Sequence, residues 1–150
     1  MPRFIRRFPT ALGITLLLAS TTLTACGEKE PTAAEAGKTL KVHILKLLEE
    51  RGAQNVQVTD PGGKDIFCGN DKAKQTYAAV GQDAAPERAP DTLNSAMLGA
   101  LKRVAHYETE ASSNSMIRVT NESTRTILIL ESSINGQYSV RGETECLNQS

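Results

Sequence analysis

Between residues 33 and 52, hydrophobic and polar positions alternate with the period of a helix. One apolar stripe contains Leu40, Ile44, Leu47 and Leu48. Thr32 and Glu35 have the T-x-x-E spacing of a capping box, which favours a helix start at Ala33. Gly52 is typical of the position just after a helix. The pattern predicts an amphipathic first helix with one buried face.

Strand patterns follow this helix. Val56 and Val58 alternate with polar residues in NVQVTD, and PGGK is typical of a turn. We expect DIFC to be the return strand of a hairpin, and residues 74–80 to form a third extended segment. The glycines favour a turn rather than a phosphate loop, because the Walker spacing and the hydroxyl residue after the lysine are missing.

Residues 81–90 carry two prolines and no apolar period, which indicates a connection between two halves. A second helix is predicted after it, capped by Asp91 or Thr92. Its apolar stripe contains Leu93, Met97, Ala100, Leu101 and Val104. Three strands are then predicted, in SMIRVTN, TRTILILESS and QYSVRGETEC.

Asn135-Gly136 is a strong signal for a two-residue hairpin turn. Such a turn would pair Glu131 with Val140 and would place Leu128 and Leu130 on the face opposite Tyr138. If the sheet is covered on one face only, Leu128 and Leu130 form an exposed apolar patch, which is typical of a partner site. A strand covered on both faces, or a register shifted by one residue, would instead bury them.

These elements predict an α+β fold in the order helix, two or three strands, helix, three strands. We expect an antiparallel sheet of five to six strands, with two helices packed mainly on one face and one disulfide. The chain divides into residues 1–25 as an export signal, 26–36 as a tether and 37–150 as a single domain.

The N-terminal segment has the layout of an export signal. Arg3, Arg6 and Arg7 precede the apolar run ALGITLLLAS, which is about half the length that a membrane-spanning helix needs. The following residues, Leu23 to Cys26, read LTAC. An ordinary cleaved signal, with Cys26 as a structural thiol, and a weak membrane helix are the alternatives.

The LTAC motif resembles the lipobox of bacterial lipoproteins. The resemblance implies that Cys26 receives a diacylglyceryl group and becomes the first residue after cleavage behind Ala25. With a CG pair after a mid-chain strand and Cys146 near the end, the chain resembles the small cell-envelope lipoproteins of actinobacteria. That resemblance implies an α+β domain on the extracytoplasmic face of the cell membrane and implies no activity.

Three cysteines are an odd number for an exported protein. If a lipid occupies Cys26, then Cys68 and Cys146 remain as a pair, which we expect to oxidise outside the cytoplasm. A disulfide closing a loop of this length contributes roughly 4 to 5 kcal/mol in the chain-entropy model. A reactive cysteine or a metal ligand is the alternative, but the chain has no CxxC motif, and the two histidines have no zinc-site spacing.

Removal of residues 1–25 takes three arginines from the 17 Lys and Arg and leaves all 17 Asp and Glu, so the mature chain is slightly acidic. This argues against nucleic-acid binding, which requires clustered basic residues. The mature chain has four aromatic residues and no Trp. Few are therefore available for a stacking surface.

No GxSxG, SxxK or HExxH motif occurs. His43 lies on the flank of the first stripe, and His106 is expected in the last turn of the second helix, where an imidazole suits the helix dipole. Asp60, Asp65 and Asp71 lie near turns without EF-hand spacing. We therefore predict no catalytic residue, cofactor or metal.

The predicted function is that of a membrane-anchored, non-catalytic binding or assembly module. Its expected partners are the membrane, through the lipid on Cys26, and either another envelope protein or a small ligand. An envelope enzyme or enzyme inhibitor, and a structural envelope component, are the alternative functions.

Overall fold

The computed structural model describes residues 29–113 and 115–149. The elements are α1 Ala33–Glu50, β1 Gln54–Asp60, β2 Ile66–Gly69, β3 Lys72–Lys74, β4 Thr76–Gln82, α2 Pro90–Leu101, β5 Glu108–Ser112, β6 Ile117–Asn121, β7 Thr126–Leu130, β8 Gln137–Thr144 and β9 Leu147–Asn148. Six strands form an antiparallel sheet in the order β1-β4-β8-β7-β6-β5, and three form a small sheet in the order β2-β3-β9. The predicted α+β class is confirmed.

The first helix begins where its capping box predicts. Glu35 N donates to Thr32 Oγ1 over 3.3 Å, and Thr32 N donates to Glu35 Oε2 over 2.9 Å. Leu40, Ile44 and Leu47 are fully buried on the predicted stripe. Residues 33–36 belong to this helix rather than to a tether, so the folded domain begins earlier than the division at residue 37 implies.

The second helix begins one residue before the expected caps. Pro90 is its first residue, and Ala89 is the N-cap without a side-chain hydrogen bond. Proline suits this position because its fixed φ is helical and its missing N–H would be unpaired there. Asp91 and Thr92 therefore lie within the first turn, and the predicted cap is wrong.

The predicted hairpin between NVQVTD and DIFC is also wrong. Strand β1 pairs with β4, and β2 pairs with β3. Asp60 explains the first pairing, since its Oδ1 accepts from Gly62 N over 3.0 Å and its Oδ2 accepts from Thr76 Oγ1 over 2.6 Å. These bonds hold the end of β1 against the start of β4. The chain between them forms the β2–β3 hairpin.

Strands β7 and β8 pair with a register one residue away from that expected. Leu130 lies opposite Val140, and Leu128 lies opposite Gly142. The extra residue is accommodated before the turn, where Ser132 N donates to Asn94 Oδ1 over 2.8 Å and Ser139 N donates to Ser132 Oγ over 3.2 Å. The α2 residue Asn94 thus stabilises a bulge that a hairpin pattern does not reveal.

This register overturns the predicted partner patch. Leu128 and Leu130 are both 0% exposed and belong to the core between the sheet and the helices. Ile129 lies on the opposite face and is 5% exposed. In the register, it lies between Arg118 and Arg141, whose head groups pair with Glu110 and Glu131. The outer face beside Ile129 is therefore charged, and long arginine side chains in such positions commonly cover apolar neighbours with their aliphatic stems.

The predicted disulfide is confirmed. Cys68 and Cys146 are bonded, with 6.2 Å between their Cα atoms and a sequence separation of 78 residues. The bond joins β2 to the residue before β9, within the small sheet. This sheet packs on the start of α1 through a cluster of buried apolar residues, namely Ala33, Ala36, Ala73 and Leu147.

Candidate functional site

A cleft of about 680 Å³ lies where α2 ends and the chain turns towards β5. Helix α2 ends at Leu101, after which Arg103 N donates to Ala100 O and Val104 N donates to Leu101 O. These turns carry the chain away from the helix axis before β5 begins at Glu108. The cleft is therefore lined by the end of α2, by the connection from Lys102 to Tyr107 and by Thr109 of β5.

The floor of this α2 cleft is apolar. It is formed by Leu98, Leu101, Val104, Ala105 and Tyr107. Leu101 is buried in the core, whereas Leu98 and Val104 are half-buried and flank it. On α2, Met97 and Leu101 are buried in the core. Leu98, which is next to Met97 in the sequence, lines the cleft beside Leu101. The floor is thus an extension of the hydrophobic core to the surface.

The rim of the α2 cleft is basic. Lys102, Arg103 and His106 line it together with Thr109. Arg103 Nε lies 2.7 Å from Glu50 Oε2, while His106 Nε2 lies 3.7 Å from Glu108 Oε1 with its side chain 90% exposed. Cations at this end of a helix interact favourably with its dipole. Because Arg103 pairs with Glu50, Lys102 is the lining cation for which the described residues show no ion pair, and it suits an anionic group.

Beneath the cleft, Tyr107 belongs to a chain of polar side chains that links α1 to β7. His43 Nδ1 and Tyr107 Oη are 2.8 Å apart, and Tyr107 Oη is 2.8 Å from Thr126 Oγ1. Thr126 Oγ1 is in turn 2.8 Å from Thr124 Oγ1. The network satisfies Thr126, which is 1% exposed.

Burial sets the protonation of this network. It lowers the pKa of His43, with a smaller contribution from the nearby charge of Lys46. It raises the pKa of Tyr107 to about 12, partly offset by the hydrogen bonds to Thr126 and Thr124. Both rings are therefore neutral at pH 7, and the network serves to hold α1 against the chain leading into β5.

The lowered pKa of His43 predicts a loss of stability in acid. As pH falls below about 6.5, the unfolded chain binds a proton at this residue before the folded chain does. The free energy of unfolding should therefore decrease from about pH 6.5 down through the lower pKa of the folded state. In the H43Q variant, this decrease of the free energy of unfolding with falling pH should be absent. Urea unfolding between about pH 8 and pH 5 measures it.

The H106Q variant is the matched control, because the side chain of His106 is 90% exposed. It should retain the acid-dependent loss that H43Q removes. Equal pH dependence in H43Q and the unmodified protein would contradict the assignment to His43.

The two histidines thus occupy different environments. The prediction of His43 on the flank of the first helix is confirmed, since it is half-buried on α1. His106 does not lie in the last turn of α2, which ends five residues earlier at Leu101. Sequence reasoning missed Tyr107, whose role depends on a contact with a residue 64 positions away.

Other candidate residues have structural roles or lie outside the described residues. Cys26 and the predicted export signal lie outside the described residues. Asp60 stabilises the turn after β1, and Asp65 Oδ1 accepts from Gln75 Nε2 over 2.8 Å. Within residues 29–113 and 115–149, no cluster of three metal-ligating side chains occurs. In the same ranges, no helix combines the length and apolar character needed to cross a bilayer.

A second, smaller cleft, of about 320 Å³, lies beside the β7–β8 turn and includes Asp83. The Asp83 side chain is 5% exposed, and its Oδ1 accepts from Tyr138 Oη over 2.8 Å. Arg88 Nη1 lies 3.1 Å from Oδ2, but Oδ2 accepts no hydrogen bond. Arg51 donates to the same Tyr138 hydroxyl. This cluster fastens the end of α1 to β8, and the carboxylate is neutralised by an ion pair.

Comparison of the chain with protein-family models, with curated proteins and with solved structures found no match.

Proposed function

We propose that the protein is a lipid-anchored binding module on the extracytoplasmic face of the cell membrane. The observation that carries this proposal is the bond between Cys68 and Cys146. Disulfides persist in oxidising compartments outside the cytoplasm. The bond accounts for two of the three cysteines and leaves Cys26, which ends the lipobox-like LTAC motif. The disulfide thus supports export, and the LTAC motif supports anchoring through Cys26.

The α2 cleft supports binding as the role of the anchored domain. Its volume of about 680 Å³ lies within the range of ligand pockets. An apolar floor beside Lys102 suits a ligand that offers an apolar group beside an acidic one. We propose that this ligand is an acidic, partly apolar segment of another envelope protein.

Crosslinking of the lipidated protein in its native envelope tests this function. The K102E variant reverses an exposed charge at the rim, and L98E places a carboxylate on the floor. Each should reduce recovery of the crosslinked partner at least about tenfold, corresponding to about 1.4 kcal/mol of binding free energy. Circular dichroism should show that K102E retains the fold.

I134E is the matched control, because Ile134 is 59% exposed and lies at the β7–β8 turn, away from the α2 cleft. It should recover as much partner as the unmodified protein. The assignment of this cleft would be overturned if the unmodified protein recovered no partner above background. It would also be overturned if K102E and L98E recovered as much partner as the unmodified protein.

A further inference from the structure

Phe67 is unusually exposed for a large apolar side chain. Its exposed fraction is 75%, against 59% for Val42 and Ile134, the next most exposed large apolar residues in the described ranges. It lies on β2, at the edge of the small sheet, and its neighbour Ile66 is 44% exposed. Leaving an aromatic ring in water forgoes the burial that normally stabilises it, so a partner for this side chain is expected.

The strand register places Phe67 beside the start of α1. Phe67 lies directly opposite Ala73, and opposite residues of an antiparallel pair share one face. Ala73 is 0% exposed and packs with Ala33 and Ala36 of α1. The neighbouring Cys68 holds β2 through its bond to Cys146. Phe67 therefore lies on a disulfide-bonded hairpin, on the face that packs against the first turn of α1.

The predicted lipid anchor lies a short distance along the chain from this point. Thr32 is fixed by its capping box, and five residues separate it from Cys26. Six Cα–Cα steps span at most about 21 Å, whatever path the chain takes. Glu30 also lies 3.3 Å from Arg125, on the domain. The start of α1 must therefore stay within about 21 Å of the lipid attachment.

This length restricts the orientation of the domain. Helix α1 has 18 residues, so it is about 27 Å long. An inverted domain, with the end of α1 at the membrane, would hold Thr32 about 27 Å above the surface. A connection of about 21 Å cannot reach that far. The connection therefore excludes the inverted domain and favours an orientation in which the end that carries the start of α1, the small sheet and Phe67 lies towards the membrane.

We infer that Phe67 inserts into the interfacial region of the bilayer that holds the lipid on Cys26. This inference rests on the proposed lipidation. Aromatic and aliphatic side chains partition into this region of a membrane. Lys64 and Lys72 near the hairpin are offset by Asp65 and Asp71. The contact therefore depends on apolar burial rather than on attraction to anionic lipid.

Single tryptophans test this orientation, because the chain contains no Trp of its own. The F67W and I134W variants are prepared as lipidated full-length protein in vesicles of phosphatidylethanolamine and phosphatidylglycerol with brominated acyl chains. F67W should show emission shifted to shorter wavelength and quenching by the brominated lipid. The emission of I134W, at the other end of the domain, should be neither shifted nor quenched. Added salt should leave the quenching of F67W unchanged.

Absence of quenching for F67W in acylated, vesicle-bound protein would overturn this inference alone. A shift of F67W emission without vesicles that grows with protein concentration would also overturn it, because Phe67 would then be covered by a second copy of the chain. A protein whose Cys26 carries no acyl group by mass spectrometry would overturn both this inference and the proposed anchor. The three results are distinguishable, because each has its own measurement: quenching in vesicles, emission without vesicles and the mass of the acylated chain.

Discussion

Replacing Leu128 by Glu is expected to unfold the domain. Leu128 is 0% exposed and lies opposite Gly142 on β7, one of the two central strands of the six-stranded sheet. It belongs to the core between the sheet and the helices. Loss of a buried leucine side chain alone costs about 2 to 5 kcal/mol, and burying an unpaired carboxylate costs several more. The free energy of unfolding of a domain is about 5 to 15 kcal/mol. L128E should therefore lose its thermal unfolding transition, as measured by circular dichroism.

I134E serves again as the control, since it introduces the same charge at a residue that is 59% exposed. Its unfolding midpoint should stay close to that of the unmodified protein. A folded, soluble L128E protein would instead support the exposed apolar patch that the hairpin pattern predicts, and would contradict the register between β7 and β8.

Replacing Cys26 by Ser is expected to abolish incorporation of labelled fatty acid and to release the protein from the membrane. The hydroxyl of serine cannot form the thioether on which the proposed lipidation depends. Two acyl chains give stable anchoring, at about 0.8 kcal/mol per buried methylene, whereas a single chain is marginal. Labelling with a fatty-acid analogue, followed by membrane fractionation, measures both effects.

The double variant C68S/C146S is the matched control for C26S, because it removes the other two cysteines together and leaves no free partner. It should still incorporate the label, although it loses the bond between β2 and the segment before β9. Continued labelling of C26S would overturn the proposed lipidation and would return Cys26 to the status of an ordinary thiol.

Elements whose signals are local could be predicted from the sequence. The first helix is one, because its capping box and apolar stripe lie within the same 18 residues. Strands β6 and β8 are others, because apolar and polar residues alternate in each segment, and β7 is recognisable from its continuous apolar run. The pairing of Cys68 with Cys146 followed from counting cysteines and not from geometry.

Features that depend on distant contacts could not be predicted. The register of β7 and β8 depends on Asn94, which holds Ser132 from α2 across 38 residues. The partner of β1 depends on Asp60 and Thr76, 16 residues apart. Strand β5 lacks an apolar alternation, because its residues, Glu108–Ser112, are all exposed. It forms by pairing with β6, which already belongs to the sheet.

The sequence by itself determined the α+β composition, the first helix, the cysteine pair and the lipobox-like motif, since each follows from spacing along the chain. Only the tertiary structure decided which face of β7 is buried, where the α2 cleft opens and that Phe67 lies beside the start of α1. The physical reason is that a strand shows its two faces with a period of two residues, so a single extra residue such as Ser132 reverses them. That residue is stabilised by a side chain from another element, which no local pattern contains.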